Sequence, residues 1–144
     1  MPNQNYSTHR QFVPLFHYAL VPVLLLTLIG SCVNLYNSIG NHDRIYNASL
    51  ILVLTLCLLI MAFLARVFAL KAQDRAIRAE ENLRYFALTG KLLDPRLTIR
   101  QIIGLRFASE AEFPELARRA AADGLSGDAI KRAIQHWRAD THRV

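Results

Sequence analysis

The residues whose chemistry suits a metal or catalytic site are five histidines, and they are scattered along the chain. Metal-binding helices place such residues three or four positions apart, because that spacing puts them on one face. No two histidines have that spacing, and no cysteine or carboxylate completes a ligand set. We therefore predict a protein that is not an enzyme and that has no metal and no cofactor. The histidines are His9, His17, His42, His136 and His142.

Charge and hydrophobicity are segregated along the 144 residues. No formal charge occurs between Gln11 and Asn41, whereas the part from Lys71 to Val144 has 14 basic and 10 acidic residues. A net charge of +6 could indicate nucleic acid binding, but cytoplasmic segments beside membrane spans carry the same excess of Lys and Arg. From Ser109 onward there are six basic and six acidic residues, which disfavours binding to a phosphate backbone.

Two apolar runs are long enough to cross a membrane. The first covers residues 12–36, and the second is an uncharged stretch at residues 48–65. About 20 apolar residues span the hydrocarbon core of a bilayer as a helix. The connection at residues 37–47 is short and rich in turn residues, so we predict an antiparallel helical hairpin with a kink at Pro22.

Two cysteines lie in these apolar runs, Cys32 in the first and Cys57 in the second. In an antiparallel hairpin their depths differ by roughly 9 Å, at a rise of ~1.5 Å per residue. A disulfide needs a much closer approach of the two side chains. We expect both to be free thiols.

The second helix does not end at the membrane surface. No proline or glycine interrupts it before Gly90, which can supply a left-handed cap after Thr89. Residues recur along it at alternating spacings of three and four, the rhythm of a helix that packs against another helix. We call these residues the packing seam and expect either the tail helices or another subunit to cover its cytoplasmic half. The seam consists of Ala62, Ala65, Ala69, Ala72, Ala76, Ala79, Leu83 and Phe86.

Three short helices are predicted in the tail, beyond a turn at residues 93–95. Thr98 can cap the first, Ser109 and Glu112 have the spacing of a capping box for the second, and Ser126 can cap the third. A core this small contributes only a few kcal/mol, so we expect the tail to dock on the long helix. The predicted core is Ile102, Ile103, Phe113, Leu116, Ile130, Ile134 and Trp137, with Trp137 continuing the third helix.

Polar residues in and beside the spans are few. Thr27, Ser31, Asn34 and Ser38 share one face of the first span and could line a path in an oligomer. We call them the polar stripe. His17 and Arg66 are predicted to lie at the membrane interface, where Arg66 can extend its charge into water.

The chain resembles a bacterial family of small membrane proteins that is catalogued only as a domain of unknown function. The resemblance covers essentially the whole chain. It implies a two-span inner-membrane protein with a cytoplasmic helical tail, and it supplies no activity and no catalytic residues. The strings that carry it are PNQNYSTHRQFVPLFHY, ARVFALKAQDRAIRAEENLRYFALTGKLLDPRLTIRQIIGLRFASEAEF and IKRAIQHWRADTHRV.

The sequence therefore predicts an all-α membrane protein in three parts. These are an N-terminal arm at residues 1–11, a transmembrane hairpin with a cytoplasmic helix extension at 12–90, and a cytoplasmic three-helix module at 91–144. We expect a multi-pass protein of the bacterial inner membrane with both termini cytoplasmic. Its partners would be the lipid bilayer and either itself, as a homo-oligomer, or other membrane subunits.

The predicted function is a non-enzymatic interaction or assembly subunit. One alternative is an oligomeric pore or small transporter lined by the polar stripe. A second is a membrane-tethered regulator that binds nucleic acid, since Ala120, Gly124, Leu125 and Ile130 are spaced as in a helix-turn-helix. The neutral charge of the tail disfavours this second alternative.

Overall fold

The computed structural model describes residues 5–6 and 13–140, and every helix and contact given below lies within those ranges. Most of the predicted arm, with His9, lies outside the described residues, as do Phe12 and the last four residues, with His142. The described part of the chain is all-helical. A π-helical turn, Leu15–Leu20, leads into α1, Val21–Asn37, and the other helices are α2 (His42–Thr89), α3 (Ile99–Leu105), α4 (Phe113–Asp123) and α5 (Gly127–Ala133).

A π-helical turn, Leu15–Leu20, lies just before Pro22, where the sequence predicted a kink. Proline has no N–H to donate, and in a regular helix its ring would collide with the carbonyl four residues earlier. Here the Val21 N–H donates to the Phe16 carbonyl, five residues earlier, so the wider turn relieves that conflict. The run Leu15–Asn37 is long and apolar enough to cross a membrane, as is α2.

The chain divides into two compact units. The hairpin unit is Phe12–Ala69, and the module unit comprises Met1–Gln11 and Leu70–Val144, so the division falls inside α2. In the hairpin unit the buried residues are Leu24 and Ser31 of α1, Ser38 directly after α1, and Ala48 and Thr55 of α2. On each helix they are seven residues apart, so they form one stripe per helix. Small side chains in these stripes let two helices approach closely.

The module unit has a hydrophobic core that includes Ile77 of α2. Five of the seven predicted core residues are buried, and Ile103 and Trp137 pack against the core with part of their surface exposed. Helices α3 and α5 cross closely at two glycines. A Cβ on Gly127 would lie 2.6 Å from the Arg100 carbonyl oxygen, and one on Gly104 would lie 2.8 Å from the Gly127 carbonyl oxygen.

Several predicted helix ends are confirmed. The Thr98 hydroxyl accepts from the Gln101 N–H in a capping box, and the Ser126 hydroxyl accepts from the Ala129 N–H. Gly90 follows the last residue of α2 with φ 71°, a conformation that glycine adopts without the strain of a Cβ. Gly124 ends α4 in the same way, with φ 62°.

Two details of the tail prediction are wrong. The second helix begins at Phe113 rather than at Ser109, whose hydroxyl is buried and has no hydrogen-bond partner among the described residues. The third helix ends at Ala133, and Trp137 lies in an extended segment that pairs with Ala108. The segment around Trp137 forms backbone hydrogen bonds with residues 107–109 instead of continuing the helix. One of these is donated by the Arg138 N–H to the Phe107 carbonyl at 2.8 Å.

Candidate functional site

The packing seam is exposed in both units. In the hairpin unit Ala62 is half-buried, while Ala65 and Ala69 are exposed. In the module unit Ala72, Ala76 and Ala79 are exposed, as are Leu83 (69% exposed) and Phe86 (51% exposed).

The tail helices pack on a different side of α2. They bury Ile77 and Glu81 and half-bury Arg84 and Tyr85. At 100° per residue, Ile77 and Glu81 point about 120° and 160° away from Leu83, so the tail packs mainly on a side of α2 other than the seam. We expected either the tail helices or another subunit to cover the cytoplasmic half of the seam. Within residues 91–140 the tail leaves the seam alanines of the module unit exposed, although Ala76 borders a cleft beside the C-terminal segment.

The polar stripe is divided between buried and exposed positions. Ser31 and Ser38 are buried, and their hydroxyls donate to the Leu28 and Asn34 carbonyls at 2.8 and 2.7 Å. Thr27 and Asn34 are exposed, and the Thr27 hydroxyl donates to the Val23 carbonyl. The three hydroxyls of the polar stripe therefore bond to backbone carbonyls of α1. Two of the four residues of the polar stripe, Ser31 and Ser38, are also among the buried residues of the hairpin unit.

The two predicted interfacial residues meet at the ring of Phe16. The Arg66 guanidinium carbon lies 5.8 Å from the ring centroid, within range of a cation–π contact. The His17 ring packs edge-to-face on the same ring with centroids 5.2 Å apart. The start of the π-helical turn and the middle of α2 are therefore side by side. With a connection of four residues between α1 and α2, this contact requires the two helices to run in opposite directions.

An ion-paired cleft in the module unit was not predicted. It has a volume of about 310 Å³ and is lined by Arg106, by the C-terminal segment and by residues of α2 that include Ala76 of the seam and Glu80. Glu81 is buried and pairs with Arg84 at 3.1 Å and with Arg138 at 3.9 Å, while buried Arg106 pairs with Asp140. Only the Glu81–Arg84 pair has a signal in the sequence, a spacing of three on one helix.

Most charged groups of the cleft are ion-paired, and among the described residues that line it Glu80 is the one without an ion pair. Arg84 also lies 4.4 Å over the Phe113 ring and donates to the Ala108 carbonyl at 2.7 Å, while its Nε is buried with no hydrogen-bond partner among the described residues. Buried charges need such partners, since an unpaired one is costly. The arrangement fits a structural role, in which it holds the C-terminal segment against α2.

Glu112 holds the other end of that segment. Its carboxylate accepts from the backbone N–H groups of Gln135 and His136, at 3.1 and 2.9 Å, and from the His136 ring at 2.5 Å. Burial raises the pKa of Glu112, but these hydrogen bonds outweigh it and leave the pKa below its ordinary value of 4.5. This tie replaces the helix cap that we had expected Glu112 to form with Ser109.

The N-terminal arm contacts the module at α5. The Tyr6 hydroxyl donates to Asp128 at 2.8 Å and accepts from Arg132, whose guanidinium also lies over the Tyr6 ring at 5.1 Å. The bond to Tyr6 raises the pKa of Arg132 above its ordinary value. Tyr6 is thus joined to α5 within one unit.

Other chemistry-bearing residues remain apart. Within residues 5–6 and 13–140, no three His, Cys, Asp or Glu side chains are grouped so that they could hold a metal ion. Cys32 and Cys57 are free and exposed on their helices. His42 is exposed at the start of α2.

Comparison with known proteins gives one match. The model of a family of unknown function, DUF6526, matches residues 1–144, the whole chain. No curated protein and no solved structure matches the chain. The protein therefore belongs to the DUF6526 family.

Proposed function

We propose that this protein is a non-enzymatic assembly subunit of the bacterial inner membrane. Two helices cross the bilayer, both termini are cytoplasmic, and the exposed packing seam of α2 joins the protein to another subunit. The partner is either a second copy or a different membrane protein.

The apolar surface of the hairpin unit supports membrane insertion. Large apolar side chains are exposed along both of its helices, including Leu26 (69%), Ile29 (62%), Met61 (63%) and Phe63 (65%). Water-soluble proteins expose scattered apolar residues, but not a continuous apolar surface of this extent. A lipid environment removes it from water along its whole length.

Charge and the arm contact support the proposed topology. Lys71, Arg75 and Arg78 follow the second apolar run closely, whereas the connection between the spans has Arg44 beside Asp43. The contact of Tyr6 with α5 also requires the arm and the module to lie on the same side of the bilayer. An even number of spans satisfies that requirement.

The observation that carries the assembly function is the uncovered seam. The tail buries one side of α2 around Ile77 and leaves Ala72, Ala76, Ala79, Leu83 and Phe86 exposed. Small residues at heptad spacing permit a second helix to approach closely. A protein that keeps such a face open beside a packed core is suited to binding another helix.

The alternatives have weaker support. A pore would need the polar stripe to face a shared axis, but Ser31 and Ser38 are buried in the hairpin unit. Nucleic acid binding would need α5 to enter a groove, but this helix has seven residues and its exposed side carries Asp128. Tyr6 already bonds to that carboxylate.

The assembly function is tested by isolating the protein from its native membrane in mild detergent and measuring the mass of the particle. We expect a complex larger than one chain. Ala72→Leu should reduce its yield by overfilling a close helix contact, a cost of about 1–3 kcal/mol. Ala122→Leu is the matched control, because Ala122 is exposed on α4 and outside the seam. A monomer without companions would rule out the proposal.

A further inference from the structure

We propose that the module half of the seam pairs with the same segment of a second copy as a parallel, in-register coiled coil. This inference rests on the assembly function and identifies its partner. The heptad assigns Ala69, Ala76 and Leu83 to the first core position, a, and Ala72, Ala79 and Phe86 to the second, d. The flanking positions then decide which partner fits.

Opposite charges lie at the two flanks of the seam. Arg75 occupies the g position, on one side, and Glu80 occupies the e position of the next heptad, on the other side. In a parallel, in-register pair each g residue faces the e residue five positions later in the partner. Arg75 of each copy would therefore meet Glu80 of the other, and twofold symmetry would form the pair twice.

Both charges are available for such a pair. Arg75 and Glu80 are exposed, and neither takes part in an ion pair within the described residues. Five residues apart on one helix, they point about 140° from each other and cannot pair in their own chain. The remaining flank pairs, Phe68 with Gln73 and Asn82 with Ala87, bring no like charges together.

The core positions also favour a copy of the same chain. Leu83 and Phe86 are 69% and 51% exposed, so the face has large apolar groups to bury at one end and small alanines for close approach at the other. Two copies inserted in the same direction have parallel α2 helices. The residues of α2 that the tail buries, Ile77 and Glu81, occupy positions b and f, outside the contact. Ala76 and Glu80 border the ion-paired cleft but remain exposed.

Cysteine cross-linking in native membranes tests the geometry. In a Cys32→Ala, Cys57→Ala background, Ala76→Cys and Ala79→Cys should each give a disulfide-linked dimer under mild oxidation, because identical core positions face each other in a parallel pair. Lys71→Cys is the control, since Lys71 is exposed on the same helix at position c, outside the contact. Equal dimer yields at all three positions would overturn the proposal.

A charge exchange tests the register. In the Ala76→Cys protein, Arg75→Glu alone and Glu80→Arg alone should each lower the dimer yield several-fold, and the double variant should restore it. Trp137 fluorescence verifies that the module is folded in each variant. An unchanged yield in both single variants would overturn the Arg75–Glu80 pairing. An assembly that forms without any Ala76→Cys dimer would overturn self-pairing and leave the assembly function standing, whereas a monomeric wild type would overturn both.

Discussion

The hairpin unit and the module unit solve the burial of apolar groups in opposite ways. The module unit encloses a core of large side chains, in which Phe107, Phe113 and Ile130 are at most 1% exposed, and leaves the seam residues Leu83 and Phe86 outside it. In the hairpin unit the buried positions are few and mostly small, while leucines, valines and isoleucines cover the outside. One unit completes its own core, and the other depends on its surroundings to cover its surface. The stability of each should therefore respond to different changes.

The sharpest contrast is between two phenylalanines. Phe113→Ala should lower the free energy of unfolding of the module by about 3–5 kcal/mol, because it leaves a cavity in a packed core. Phe63→Ala, at a position 65% exposed in the hairpin unit, should change it by less than about 0.5 kcal/mol. Denaturant titration in detergent, followed by the fluorescence of Trp137, measures both. Equal losses would break the distinction between the two units.

A smaller effect is expected where two helices of the module cross. Gly127→Ala should destabilise the module by about 1–3 kcal/mol, because backbone atoms rather than a flexible side chain meet the new methyl group. Gly30→Ala is the control in the hairpin unit, since a Cβ there would meet nothing within 4 Å. The same denaturant titration applies, and the idea fails if Gly127→Ala is neutral.

The smallest effect is expected at the tie between Glu112 and the C-terminal segment. Glu112→Gln should cost about 1 kcal/mol, because a neutral amide is a weaker acceptor for the N–H groups of Gln135 and His136. Glu110→Gln, at an exposed position, should be neutral. The comparison is made at pH 7 in detergent.

The same tie predicts a pH dependence. The pKa of Glu112 is lower in the folded protein than its ordinary value of 4.5, so its contribution is complete above that pH. As the pH falls through the lowered pKa the carboxylate is protonated and the contribution is lost. The difference between wild type and Glu112→Gln should therefore shrink below pH 4.5. A difference that grows on acidification would contradict the assignment.

Local signals were sufficient for much of the fold. The two apolar runs, the turn before α3 and the caps at Thr98, Ser126 and Gly90 depend on neighbouring residues, and the structure contains each of them. The capping box at Ser109 failed because Glu112 has better partners 23 and 24 residues away. The prediction that Trp137 continues the third helix failed for the same reason, because Trp137 pairs instead with Ala108 in a distant backbone segment.

By itself, the sequence determined which residues are apolar, where helices start and stop, and the heptad rhythm of α2. These properties follow from side-chain chemistry within a few residues of each position. Only the tertiary structure decided that the tail buries Ile77 rather than the seam, that Arg106 pairs with Asp140, and that Tyr6 reaches α5. The last two contacts join residues 34 and 122 positions apart, and whether they form depends on how whole helices pack. The open seam of α2 is a consequence of that choice, because a helix has several faces and the tail can cover only one.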